Sequence, residues 1–219
     1  MNNKAIILCF SLLLFACNQK ELLFKNPTSQ ETGLNFKNTI TPSNELNILD
    51  YLYYYNGGGV AVGDLNGDGL QDIYFCGNQV QNKLYLNKGD LKFEEVISKS
   101  GAQKTKSQWS SGVTFVDINS DGKQDIYVCN TMIEDSALLR DLLFVNQGNN
   151  AEGVPQFKEM GEEYGILDNT HNSISTFFDY DLDGDLDIVY NGSANVYIWD
   201  PNQNLVLFRR TPPSFVYGV

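Results

Sequence analysis

The chain is short of the residues that soft-metal and nucleophilic chemistry need. Its one histidine, His171, cannot make a His-x-x-x-His zinc site, which takes two. It sits in a polar loop, Asp168 to Asn172, and reads as a solvated or capping residue. No Gly-x-Ser-x-Gly elbow and no glycine-rich phosphate loop occur. Cations are scarce too. Lys and Arg total 15 against 27 Asp and Glu, a net charge of −12. A surface so acidic repels phosphate backbones, so nucleic acid is not expected as a direct partner. It suits hard cations instead. The apolar run Ala5 to Ala16 falls short of the roughly 20 residues that span a bilayer. Helical signal is also poor. Ser136–Leu143 offers a turn or two as an insertion between strands, and Glu159–Tyr164 is a weaker candidate. A paired-carboxylate hydrolase stays open on composition alone, because acids are plentiful.

The first residues have the order of a targeting segment. Lys4 supplies a positive start, and the apolar run ends in Leu14-Phe15-Ala16-Cys17. That ending resembles the bacterial lipobox. The resemblance implies a signal peptide over 1–16, cleavage before Cys17 and lipidation of Cys17. It implies an exported protein, membrane-attached through that anchor at the bacterial cell envelope, on the outer membrane or cell surface. The alternative is an ordinary secretory signal with an incidental cysteine. Residues 17–33 then read as the lipidated cysteine and a polar tether, and Asn18-Gln19-Lys20-Glu21 loosely resembles surface-sorting signals. Cys76 and Cys129 remain in the folded part. Two buried thiols on equivalent strands is the preferred reading. Export also permits a disulfide, which needs Cα atoms within about 7 Å.

What the chain has in abundance is repetition. Three loops align: Asp64 to Asp72, Asp117 to Asp125 and Asp179 to Asp187. Each follows a short apolar run, at Gly59–Val62, Gly112–Val116 and Ile174–Phe178. Each leads into a β-rich one, at Ile73–Cys76, Ile126–Cys129 and Ile188–Asn191. Two more candidate strands follow in every unit, Lys83–Leu86 and Phe93–Ile97, Leu142–Val145 and Phe157–Met160, Val196–Trp199 and Leu205–Phe208. Asn, Gly and Asp turn residues separate them. Four short antiparallel strands per unit make a propeller blade. The expected fold is all-β, a partial β-propeller of about three four-stranded blades over 34–210, with an irregular or truncated tail at 211–219. Tyr51-Leu52-Tyr53-Tyr54-Tyr55 suits either a strand with a packed face or a sugar-stacking platform, and strand is preferred. Trp109 and Trp199 are read as core.

The loops carry the candidate chemistry. Carboxylates or amides stand at positions 1, 3, 5 and 9: Asp64, Asn66, Asp68 and Asp72; Asp117, Asn119, Asp121 and Asp125; Asp179, Asp181, Asp183 and Asp187. Position 6 is Gly69, Gly122 or Gly184, which permits the sharp turn. Position 7 is expected to offer a carbonyl, from Leu70, Lys123 or Asp185. Calcium takes six to eight hard oxygens in a forgiving geometry, and magnesium fits less well. An EF-hand is excluded, because position 12 is Phe75, Val128 or Tyr190 where a bidentate Glu belongs. The expectation is about three structural Ca²⁺ ions and no catalytic residue.

The run Gly57-Gly58-Gly59-Val60-Ala61-Val62-Gly63-Asp64, the continuation Asp72-Ile73-Tyr74-Phe75, and Asn82-Lys83-Leu84-Tyr85-Leu86-Asn87 resemble the FG-GAP/VCBS repeat. Trp109-Ser110-Ser111-Gly112 and Asp125-Ile126-Tyr127-Val128-Cys129-Asn130 resemble it equally. That repeat builds integrin-α-like β-propellers, and bacterial surface lipoproteins carrying it often end in an ASPIC/UnbV domain, which is not visible here. The resemblance implies one calcium per loop and a non-catalytic interaction or scaffold module with a glycan or protein ligand. Such propellers usually have seven blades, so remaining blades or other copies are expected partners. Two alternatives stand beside this reading: a glycan-acting envelope enzyme or its accessory domain, and a truncated remnant of a longer FG-GAP protein.

Overall fold

The structure is a computed structural model that describes residues 23–131, 139–166, 171–192, 196–200 and 204–208. The signal segment, Cys17 and the tail lie outside the described residues. So do residues 132–138 and 167–170 and the side chain of Trp199.

Three four-stranded antiparallel sheets follow one another along the chain. The first holds β1 (Val60–Gly63), β2 (Asp72–Phe75), β3 (Lys83–Asn87) and β4 (Phe93–Glu95). The second holds β5 (Trp109–Val116), β6 (Asp125–Thr131), β7 (Leu142–Asn149) and β8 (Pro155–Glu159). The third holds β9 (Asn172–Phe178), β10 (Asp187–Gly192), β11 (Val196–Asp200) and β12 (Asn204–Phe208). Strand order equals sequence order in every sheet, the up-and-down meander of a propeller blade. All twelve sequence-predicted strands are present, with ends shifted by up to four residues.

Register makes the blades superposable. Val62 pairs with Ile73, Phe115 with Ile126 and Phe177 with Ile188. Alternation along each strand then sends one side chain forward and the next back. Tyr74, Cys76, Leu84 and Leu86 of the first blade meet Val113, Ile126, Val128 and Phe144 of the second in one buried cluster. Tyr127, Cys129, Leu143 and Val145 meet Ile188 and Tyr190 in the next. Each fully buried Leu, Ile or Val contributes about 1.5–3 kcal/mol, so these two seams hold the blades together. Cys76 and Cys129 are unbridged buried thiols at equivalent places in the two seams, as preferred.

The inner strands meet at glycines. A Cβ on Gly59 would lie 2.9 Å from Gly112 Cα, and one on Gly112 would lie 2.3 Å from Ser173 O. The Gly59 N–H donates across to Ser111 O at 2.8 Å.

Three expectations need correcting. Tyr51–Tyr55 is a turn rather than a strand, closed by bonds from Tyr54 N to Tyr51 O and Asn56 N to Tyr53 O. The buried ring of Tyr54 against Trp109, 5.4 Å between centroids, favours that coil over extension. Of the expected helical insertion Ser136–Leu143, residues 136–138 lie outside the described residues and Leu139 is helical, whereas Leu142 and Leu143 open β7; Glu159–Tyr164 makes only the end of β8 and a turn. The tether is shorter than drawn. Thr28 and Glu31 form a reciprocal capping box over α1 (Ser29–Thr32), which ends at Gly33 in the left-handed region.

That last feature recurs. Gly33, Gly101 and Gly165 all have positive φ, and each is followed by an apolar residue, Leu34, Ala102 or Ile166. A Cβ on Gly33 would lie 2.4 Å from Phe93 O, and one on Gly101, after α2 (Ile97–Ser100), would lie 2.6 Å from Phe157 O. The first two connectors thus lean on the outer strand of the blade that follows them. Ahead of the first blade the chain continues as a strap. Phe36 stacks on Phe75 at 4.9 Å, Tyr85 donates to Asn35 Oδ1 at 2.6 Å, and Asn38 bonds Asn78.

Candidate metal centres

Each acidic loop joins an inner strand to its neighbour, so all three lie at the same end of the blades. The position-1 carboxylate organises the turn. Asp64 accepts from the N–H groups of Gly67, Asp68 and Gly69 at 2.8–3.1 Å. Asp117 accepts from Asp121 and Gly122, and Asp179 from Asp183 and Gly184. Position 6 has φ of 84°, 82° and 99° in Gly69, Gly122 and Gly184, a region that glycine enters freely. Position 4 is left-handed too, in Gly67, Ser120 and Leu182, a requirement the sequence comparison did not expose.

Position 9 roots each loop in the blade. Asp72, Asp125 and Asp187 are fully buried at the start of β2, β6 and β10. One oxygen of each accepts the N–H of position 2: Leu65, Ile118 or Tyr180, at 3.0, 3.0 and 2.6 Å. The other oxygen accepts Asn87 N at 2.9 Å in the first blade and Asn146 N at 2.7 Å in the second. In the third, Asp187 Oδ1 is buried with no hydrogen-bond partner. The reason is in the chain. Asn87 and Asn146 stand two residues beyond Tyr85 and Phe144, which pair with Ile73 and Ile126. Two residues beyond Trp199, the partner of Ile188, the sequence reaches Pro201, which has no N–H to give.

Burial pushes the Asp72 carboxyl up to about 6, with the neighbouring Asp68 and Asp64 charges adding to it. Burial raises Asp125 as well. A positive charge placed beside these acids would stabilise their ionised form. In the third loop, carboxylate oxygens of Asp179, Asp181 and Asp187 lie within 4.8 Å of one another. The equivalent sets are Asp64, Asn66 and Asp72, and Asp117, Asn119 and Asp125, with an amide replacing one carboxylate.

Position 5 behaves differently. Asp68, Asp121 and Asp183 each accept the N–H of position 7, from Leu70, Lys123 and Asp185, at 2.8–3.2 Å. In the second loop the Lys123 ammonium also holds the outer oxygen of Asp121 at 2.8 Å. A protein cation is therefore already present in that loop.

The donors gathered here are all oxygen, which suits a hard divalent cation and not zinc or copper. The orphaned Asp187 Oδ1 fits a cation better than a closed hydrogen-bonded turn, because a buried carboxylate oxygen without a partner is costly. The residues present fit calcium, which Asp179, Asp181 and Asp187 would hold in the third loop. The loops also touch the next blade. Asn146 Nδ2 donates to Leu65 O at 2.9 Å and Asn149 Nδ2 to Asn66 O at 2.7 Å, so ordering the first loop also ties the first blade to the second. His171 lies at the far end of β9, exposed, with Nδ1 3.4 Å from Thr131 Oγ1.

Comparison with known proteins agrees with this architecture. Residues 64–128 match the model of the FG-GAP-like repeat. Cartilage acidic protein 1 of Xenopus tropicalis is 29% identical over 166 residues, covering 75% of this chain and 24% of that protein. Cartilage acidic protein 1 of Homo sapiens is 28% identical over 142 residues, covering 64% of this chain and 20% of that one. The chain thus spans about a quarter or less of the length of these relatives.

Proposed function

We propose that this chain, which matches the FG-GAP-like repeat over residues 64–128, binds calcium through its loops and serves as a non-catalytic interaction or scaffold module. The observation that carries the calcium reading is the third loop, where three carboxylates converge and a buried oxygen of Asp187 lacks a partner. The ions are structural: each loop sits at a strand-to-strand turn and is tied to its blade by position 9. We further propose that the module is exported and held at the cell envelope through Cys17, which the Leu14–Cys17 motif supports. Millimolar extracellular calcium would fill even weak sites of about 10⁻⁴–10⁻³ M.

Affinity should follow ligand charge. The third loop, with five aspartates, is expected to bind tightest, and the second, with Lys123 on Asp121, weakest. Calorimetric titration with calcium checks this. Asp181→Ala is expected to abolish the tightest phase, and Lys123→Ala to strengthen the weakest. Titration at falling pH adds the sign. The Asp72 carboxyl titrates near 6 in the fold against 3.8 when free, so protons compete with the ion and first-loop binding weakens as pH drops through 6. Equal affinities in all variants would contradict the assignment of these loops.

We also propose that a further blade, from a second copy of the chain, covers the outer face of the first. Val60 and Val62 are 52% and 57% exposed there, while their register equivalents Val113 and Phe115 pack into the seam between blades. The strap of residues 34–41 covers only the outer part of that face. Association that rises with concentration on a sizing column, and falls in Val62→Asp, is the expected outcome; a monomer at every concentration would rule the second copy out.

A further inference from the structure

A cavity of about 280 Å³ opens at the end of the blades opposite the acidic loops. It crosses the starts of all three inner strands, at Gly59, Ser111 and Ser173. Tyr51, Tyr53 and Trp109 supply its aromatic wall, and Asn56 and Thr131 join Ser111 and Ser173 as polar groups. None of the described residues lining it carries a formal charge.

We propose that this cavity binds a neutral sugar ring, one unit of a glycan. This deepens the reading of the chain as a binding module by naming its ligand class. The chemistry on the wall selects that class. Stacked aromatic faces accept the C–H face of a pyranose, while hydroxyl, amide and backbone groups around them exchange hydrogen bonds with its hydroxyls. Phosphate, carboxylate or amine ligands would call for a countercharge, and the described lining has none. A peptide strand would call for a longer groove than this volume provides.

The aromatic wall is set before any ligand arrives. Tyr54 is buried behind it, against Trp109 at 5.4 Å, and anchors the turn. Tyr51 is pinned by a 3.1 Å bond between its hydroxyl and Thr131 Oγ1. Tyr53 meets Tyr51 edge to face at 5.7 Å and 74°, with half of its surface open to solvent. A wall already fixed loses little side-chain entropy on binding. The coil of Tyr51–Tyr55 thus does what a strand could not, placing two tyrosines over the mouth while a third is buried.

The test uses the whole chain with Trp199→Phe, so that Trp109 is the single fluorescent reporter. Methyl glycosides of glucose, galactose, mannose and N-acetylglucosamine are titrated in calcium while Trp109 emission is followed. The expected result is a saturable change with at least one of them. It should weaken about tenfold or more in Tyr53→Ala and stay near the parent in Tyr53→Phe, with melting temperature and calcium response unchanged in both. No response to any glycoside by protein that still melts cooperatively and responds to calcium overturns the sugar site and leaves the ion sites standing. So does a response that Tyr53→Ala does not alter.

Discussion

Gly112→Ala is expected to destabilise the protein by about 3 kcal/mol, a fall of roughly 6–12 °C in melting temperature for a chain of this size. The cause is space. The added methyl would lie 2.3 Å from Ser173 O and 3.0 Å from Ile174 Cα. Both obstacles are backbone of β9, so no rotamer change relieves the contact. The inner strands of the second and third blades must part, which loosens the seam around Tyr127, Leu143 and Ile188. Thermal melting followed by circular dichroism in calcium checks this. An unchanged melting temperature would mean that the inner strands do not approach this closely.

Lys104→Met is expected to cost about 3 kcal/mol or more. Lys104 is 4% exposed and carries the positive charge deepest in the described part of the chain. Its ammonium donates to the carbonyls of Gly77, Asn78 and Gln108. It thus joins the corner after β2 to the approach of β5. Methionine fills the volume and leaves three buried acceptors short of a donor. Burial lowers the Lys104 ammonium to about 8 from 10.5, with neighbouring Cys76 opposing the shift. The sign follows from proton counting: between pH 8 and 10.5 the unfolded chain binds the extra proton, so this group's contribution to stability rises with pH across that window. The stability difference between parent and Lys104→Met should therefore widen from pH 8 to 10.5. A difference that shrinks would show that the three carbonyl bonds, and not burial, govern the lysine.

The strands and loops were legible because their signals are local. Alternation in Ile126–Tyr127–Val128 and the Asp-x-Asp/Asn-x-Asp-Gly spacing survive without any knowledge of the partner blade. The tyrosine run was misread for the opposite reason. Its β propensity is real, but the choice between strand and coil rests on Tyr54 meeting Trp109, a contact made far along the chain. The capping box at Thr28 and Glu31 was within reach of the sequence, as was the repeated glycine of the blade connectors. Lys104 was not, since the three carbonyls around it come from two segments some thirty residues apart. The third loop mixes both cases: its extra aspartates are plain to read, while the loss of a donor at Pro201 has meaning only through the register of β10 and β11.

Thermal unfolding of the chain from residue 18 onward, compared in EDTA and in millimolar calcium, shows whether ions hold the blades together. Ion binding to the folded state alone raises stability by mass action, and three acidic loops should make that rise large. One cooperative transition is expected, moving up by ten degrees or more, about 3–5 kcal/mol, on adding calcium. A cooperative transition at the same temperature in both buffers would contradict that expectation.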